Sequence, residues 1–356
     1  MGTRLAVILG AGASYDCASI GVTSIDHNYR PPLTSGIFEG RRPFQTILEK
    51  YPKARTLAST IAVRVTRGEP LEAVLRGLRN SKEEHIIRQF WQIPLYLQEL
   101  FGEISFNYTS EAENYSYLAN RLLGSEFEKV AFVTLNYDLL LEKSVGTITS
   151  NSGIQWKPKE LSFYVELNRK WMLIKLHGSV NWGRVLVTRR RMGGWTHEGM
   201  LDHFDALALS LERSLVRDIT VLSSHQDRSI QTGGTHNLCY PAISVPVEGK
   251  YEFVCPKEHV DAAKDFLSSC HNFLIIGASG KDKDLLELLR DNIKKTDVVG
   301  FVEASQDAVQ EVEDRFLAEV PQFRTQRLPL QYIEGFGGFI RNKGRSLDDF
   351  VDVLGD

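Results

Sequence analysis

The chain predicts an α/β protein built on a doubly wound parallel sheet, on three observations. Residues 5–9 are a continuous apolar run that empties at once into GAGAS at 10–14. Residues 129–134 and 171–176 repeat the pattern, each ending on polar residues. Residues 273–276 and 297–302 repeat it again after helix-like stretches. An uninterrupted apolar strand is one buried on both faces, as in a parallel sheet covered by helices, and such sheets gather ligands at their carboxyl ends.

The elements follow in order. Residues 14–24 predict a short helix, and 24–38, with two prolines in RPPL at 30–33, a loop over the end of the first strand. From 44 to 123 apolar residues recur at helical spacing (Leu71, Val74, Leu75, Leu78; then Ile86, Ile87, Phe90, Ile93, Leu97, Leu100), which predicts a helical insertion. Residues 184–245 read as an irregular insertion: a basic turn, a helix pattern around 207–215, and a polar stretch at 223–237 that reads as an exposed loop. A single domain is expected, with a Rossmann-like core from 1–43, 124–183 and 246–335. The tail, 336–356, has GFGGF at its head and an acidic helix pattern, and would dock an edge or face a partner.

Composition narrows the function. With 356 residues and 42% hydrophobic content a large core can form. The 42 basic residues nearly balance 45 acidic ones, for a net charge of −3, so no global field draws the chain to nucleic acid or anionic lipid. The four cysteines, Cys17, Cys239, Cys255 and Cys270, form no CxxC pair, which argues against a disulfide framework and a zinc site. His197, His203, His225 and His236 near Cys239 fit no metal spacing, and no metal is expected. The first apolar run is too short for a signal peptide, and none approaches the roughly 18 residues of a membrane span, so a cytoplasmic protein is expected. The one dense basic run, TRRR at 188–191 with Trp182 and Trp195 nearby, reads as a solvated hairpin, and direct nucleic-acid binding is not expected.

The candidate site begins at Gly10, Ala11, Gly12, Ala13 and Ser14. Glycine removes the Cβ that would hold a phosphate away from backbone amides, so a dinucleotide pyrophosphate fits, although such a turn is as often a tight strand-to-helix connection. A dehydrogenase fingerprint would need a third glycine near Tyr15 and an acidic residue after a second strand. Asp26 lies in a loop instead, and no GxxxxGK[ST] exists. In TLNYD, Thr134, Asn136 and Asp138 alternate as a strand ends and would face one side; equally, Asn or Asp there would cap the following helix. In KLHGS, His177 follows another strand and precedes Gly178, which allows a sharp turn, and an imidazole at a strand mouth can move protons.

These pieces, with GASGKD at 277–282, resemble in order and wording the sirtuin superfamily, and in particular the zinc-free SIR2-like NAD-hydrolysing domains of bacterial anti-phage defence systems. The resemblance implies NAD+ as substrate, its pyrophosphate on residues 10–14 and its adenosine half nearer Gly277 and Ser279, with Asp282 or Asp284 at the next helix start. Pro32 would belong to the cofactor loop, and Thr134 and Gly178 would line the pocket. Asn136 would orient water or ribose hydroxyls, His177 would accept a proton, and Asp138 would hold the nicotinamide end or the loop. The four-cysteine zinc ribbon of protein deacylases is missing. The implied activity is therefore an NAD+ glycohydrolase releasing nicotinamide and ADP-ribose, a regulated NAD-depleting effector. It would work as a homo-oligomer, or with a separately encoded activator such as a HerA-type ATPase or an Argonaute-like protein. The alternatives are a non-catalytic NAD or ADP-ribose sensor, and a sirtuin-like deacylase or ADP-ribosyltransferase.

Overall fold

A computed structural model describes residues 3–18, 27–108, 112–151, 160–166, 169–186, 195–232, 235–245, 254–325, 328–342 and 346–355. Ten strands form two sheets: β1 Arg4–Leu9, β2 Lys129–Thr134, β3 Trp171–Lys175, β4 Gly178–Leu186, β5 Leu215–Val221, β6 Ser229–Thr232, β7 Thr235–Ile243, β8 Asn272–Ile276, β9 Val298–Val302 and β10 Leu330–Tyr332. The larger sheet runs β3-β2-β1-β8-β9-β10, and every pairing in it is parallel. Counted by its own six strands, this is the order 3-2-1-4-5-6 of the dinucleotide-binding doubly wound fold. The winding reverses between β1 and β8, and ligands of such sheets sit at that switch point, beyond the carboxyl ends.

The apolar runs are explained by two-sided cover. Along β1, Leu5, Val7 and Leu9 join one buried cluster and Ala6 and Ile8 the other, because successive side chains leave a strand on opposite faces. The chain reaches β2 by helix Glu113–Gly124, so the end of the predicted helical insertion is a connecting helix of the sheet itself. Helix Gln92–Asn107 is buried over most of its length, and Gln98 Nε2 donates to Val180 O at 2.9 Å, tying it to β4. Helix Gln92–Asn107 thus packs against the smaller sheet.

Several expectations need correction. The first helix is Ala11–Tyr15, starting inside the glycine loop, where 14–24 was expected; residues 19–26 lie outside the described chain. The described part of 184–245 is not irregular: β4, β5, β6 and β7 form an antiparallel sheet in the order β5-β4-β7-β6. The polar 223–237 stretch contains β6 and the start of β7, paired from Ser229↔Leu238 to Thr232↔Thr235. The helix pattern around 207–215 is the end of helix His197–Leu207, a turn at Leu211–Ser214, and then β5. Hydrophilic strands on a half-exposed sheet lack the apolar run that marks a two-sided one. The TRRR segment lies outside the described residues, and Trp182 is fully buried against Tyr164 and His259, so it cannot stack on a nucleic acid. The tail docks internally: Phe336 packs on Tyr115, and Phe350 lies beside Tyr332 and over Gly300. No helix among the described residues is long and apolar enough to cross a membrane.

Candidate functional site

Five loops meet at the carboxyl edge of the larger sheet: 10–14 after β1, 135–138 after β2, 176–178 after β3, 277–282 after β8, and Glu303 after β9. The two glycine loops pack backbone against backbone across the switch point. Gly10 N–H donates to Ile276 O and Gly12 N–H to Gly277 O, each at 3.0 Å. A Cβ at Gly10 would lie 2.3 Å from Gly277 O, and one at Gly277, whose φ is +60°, would lie 2.3 Å from Ala13 N. The glycines are therefore required by this contact, and two of the loop's amides are already engaged by it.

Asn136 is the centre of a network of fixed polarity. Its Nδ2 lies 2.8 Å from Gly10 O and 3.0 Å from Ser14 Oγ. A carbonyl can only accept, so the amide nitrogen faces the protein and Oδ1 is the remaining acceptor; among the described residues nothing bonds it. Ser14 Oγ donates to Asp138 Oδ2 at 2.8 Å, and Tyr115 OH lies 2.9 Å from the same hydroxyl. With its hydrogen given to the carboxylate, Ser14 accepts from both Asn136 and Tyr115. Asp138 is only 3% exposed, and its Oδ1 accepts from Leu140 N at 3.1 Å. That bond caps the start of the following helix, and both of its oxygens are bonded within the protein. Thr134 Oγ1 donates to Leu9 O at 3.2 Å and accepts from Asn136 N at 3.0 Å, which stitches β1 to β2 where they end.

Lys175, the last residue of β3, is wholly buried beneath this turn. Its ammonium donates to Asp138 O at 2.5 Å and to Glu142 Oε1 at 2.6 Å. Burial raises the Glu142 carboxyl, against the pull of Lys175, and among the described residues its second oxygen has no partner. His177 and Asn136 each lie two residues beyond Lys175 and Thr134, which are register partners on adjacent parallel strands, so the two side chains start from the same level of the sheet. His177 Nε2 is 3.0 Å from Asp282 Oδ2. Gly178 has φ +84°, and a Cβ there would meet Ala242 O at 1.9 Å, so glycine is required where the chain turns from the large sheet into β4.

Of the other expected positions, Pro32 is buried in the 30–33 segment, where Arg30 stacks over the Tyr15 ring at 3.7 Å. Ala11 and Gly12 are half-buried and Ala13 is buried, while Ser279 is exposed with its carbonyl held by Arg315 at 2.8 Å. Asp282 is the N-cap of helix Lys283–Asn292, and Asp284 lies in that helix's first turn. Sequence reading missed Tyr115, which at helical spacing looks like any core aromatic, and Glu303. The signal for Glu303 was present, since it is the first polar residue after an apolar strand. Gly277 N donates to Val302 O at 3.1 Å, which places Glu303 beside the β8 loop, and burial pushes its carboxyl up to about 7. Among the described residues no group of three or more His, Cys, Asp or Glu side chains is arranged to hold a metal. A hollow of about 580 Å³ lies at the opposite, amino-terminal edge, lined by Arg4, Lys129, Lys170 and Phe266 among others. It holds no imidazole or catalytic amide.

Residues 130–227, about a quarter of the chain, match the family model described as SIR2-like domain. Within the matched stretch fall both TLNYD and KLHGS, the two motifs that supply Asn136 and His177. Among solved structures the chain is similar to a Sir2 homologue in complex with NAD, at 12% identity and TM-score 0.42, covering 99% of this chain and 90% of that one. It is also similar to a mutant Sir2 homologue in complex with ADP-ribose, at 12% identity and TM-score 0.41, with 99% and 92% covered. A Sir2 protein bound to a propionylated peptide gives 14% identity and TM-score 0.35, with 89% and 92% covered. No curated protein matches the chain. The fold assignment rests on the strand order itself.

Proposed function

We propose that this SIR2-like chain binds NAD+ at the carboxyl edge of its parallel sheet and hydrolyses the nicotinamide–ribose bond, releasing nicotinamide and ADP-ribose. The observation that carries this reading is the arrangement at the ends of β2 and β3. An amide whose nitrogen is spent inside the protein offers its oxygen there, and an imidazole rises from the adjacent strand at the same register. Nicotinamide leaves NAD+ as a neutral molecule, so the reaction needs little acid assistance to departure. It needs a positioned water, a proton acceptor, and stabilisation of charge developing on the ribose. Asn136 Oδ1 accepts a hydrogen from the water or a ribose hydroxyl, and His177 accepts the proton.

The dinucleotide would lie across the switch point. The pyrophosphate would rest on the 10–14 loop, where the amide of Ala11, at the first helical position, has no intrahelical partner. The adenosine half would lie over Gly277 and Ser279, with the Glu303 carboxylate, at the end of the neighbouring strand β9, toward its ribose hydroxyls. Asp138, closed inside the Ser14–Asn136 network, holds the amide rather than the nicotinamide. NAD depletion under control of self-assembly or of a separate activator remains part of this reading, in keeping with the motif resemblance.

The test is the purified chain, alone and assembled with the product of its neighbouring gene, incubated with NAD+ while nicotinamide and ADP-ribose are followed. Equal release of both without added acceptor supports hydrolysis. Release that requires an acyl-lysine peptide or a protein acceptor would instead make it a deacylase or transferase, and bound but intact NAD+ would make it a sensor.

Glu303 gives a separate expectation. Its folded-state value of about 7 lies above the ordinary 4.5. The stability it contributes is therefore full below about 4.5 and is lost as pH rises through about 7. Glu303→Gln should be flatter than wild type over that window by on the order of 3 kcal/mol, measured by urea unfolding at several pH values. If ribose hydroxyls bind the ionised form, NAD+ affinity should also tighten from pH 6 to 8 in wild type and not in the variant. Parallel pH profiles would remove the role.

A further inference from the structure

His177 and Asp282 come from loops on opposite sides of the switch point, one after β3 and one after β8, with β2 and β1 between them in the sheet. Their 3.0 Å contact bridges the mouth. Both ends are anchored. Asp282 uses its other oxygen to cap helix Lys283–Asn292, accepting from Leu285 N at 2.8 Å. The His177 backbone is fixed by Gly178 in its left-handed conformation and by Ser244 N–H, which donates to His177 O at 2.8 Å. The side chains are 17% and 25% exposed, so the pair is shielded while still opening to the cleft. Burial alone would raise the Asp282 carboxyl; the hydrogen bond and charge of His177 and the Leu285 amide hold it below the usual value.

We propose that Asp282 is the positioning residue of the site: it fixes the hydrogen of His177 on Nε2 and thereby makes Nδ1 the atom that accepts the proton. A carboxylate can only accept, so the ring nitrogen facing it carries hydrogen and the other carries the lone pair. Among the described residues no group bonds Nδ1. The inference deepens the hydrolase reading and rests on it. In the step, a water oxygen bonds to the ribose carbon as the bond to the nicotinamide nitrogen breaks and its electron pair leaves with nicotinamide. The water proton passes to Nδ1, Asp282 stabilises the doubly protonated ring, and the proton is then released to solvent. No redox partner is needed. The assignment follows the logic of carboxylate–histidine pairs elsewhere, in which the carboxylate selects the tautomer and does not itself carry the proton.

Asp282→Asn separates this from a merely structural role. Asparagine caps helices as well as aspartate does, so the melting temperature should not move, but its amide donates to Nε2 and reverses the tautomer. With selectively ¹⁵N-labelled histidine, the His177 ring signal, assigned by its absence in His177→Ala, should change from the Nε2–H to the Nδ1–H tautomer. Single-turnover nicotinamide release should fall about 10²–10⁴-fold, with NAD+ affinity within about threefold of wild type, the fall lying in the chemical step. Asp282→Ser, which keeps a cap but frees the ring, should fall in the same direction. An unchanged tautomer, or unchanged turnover in an active enzyme, would overturn the assignment. So would increased turnover, which would make the pair a bar across the mouth. If the tautomer reverses but the wild type releases no nicotinamide under any condition, the pairing stands and the hydrolase reading falls.

Discussion

Alanine at Asn136 is expected to lower nicotinamide release by about 10²–10⁴-fold while leaving the fold intact, and alanine at His177 to lower it by a similar factor. The two losses should differ in kind. Asn136→Ala removes the acceptor offered to water or ribose and leaves Gly10 O and Ser14 Oγ short of a donor, in a half-buried place that water can enter. Asn136→Asp is the sharper variant. It is nearly the same size, but it cannot donate to Gly10 O, so the side chain must turn away or set oxygen against oxygen. It should therefore be no more active than alanine. NAD+ binding, measured by calorimetry, should change little in all three variants, since the dinucleotide would be held chiefly by the glycine loops. Turnover within tenfold of wild type for either alanine variant would mean that the chemistry lies elsewhere.

The second large effect is expected at Lys175. This ammonium is fully buried, and its bonds run to Glu142 and to the carbonyl oxygens of Asp138 and Tyr137, the latter at 3.5 Å. Lys175→Met leaves the Glu142 carboxylate without its cation among groups that already raise its protonation, and should cost about 3–5 kcal/mol of unfolding free energy. Removing both charges, with Lys175→Met and Glu142→Leu together, should recover most of that loss, because desolvation of an unpaired charge is the larger part of it. The double variant should still lose turnover, since the Asp138 and Tyr137 carbonyls that set the TLNYD turn lose their donor. Urea unfolding of the single and double variants checks the first point and nicotinamide release the second. A single variant within about 1 kcal/mol of wild type would show that water replaces the ammonium.

How much of this was legible depended on distance along the chain and on how many faces each element buries. β1, β2, β3 and β8 could be read because two-sided burial forces continuous apolar residues, and the switch to glycine or polar residues marks where the edge begins. β5, by contrast, places Arg217 and Asp218 in solvent, and β6 and β7 open on serine, threonine, glutamine and histidine. That composition reads as loop, although Thr232 and Thr235 are register partners of an antiparallel pair. Within the site, Asn136, Asp138 and His177 could be named because each follows a strand directly. Their partners could not. Tyr115 lies 101 residues from Ser14, on a helix whose Leu118 and Leu122 share its helical spacing, and nothing local marks Asp282 as belonging to His177. Lys175 was hidden by its own neighbours, a cation at the end of an apolar strand being ordinarily a solvated one.

The left-handed corner at Gly178 carries one last implication. The residue before it ends in the parallel sheet, the residue itself opens the antiparallel one and pairs with Ile243, and the peptide between is clipped by Ser244. The imidazole thus sits at the corner where the two sheets join, so that any tilt of the smaller sheet would re-aim the ring.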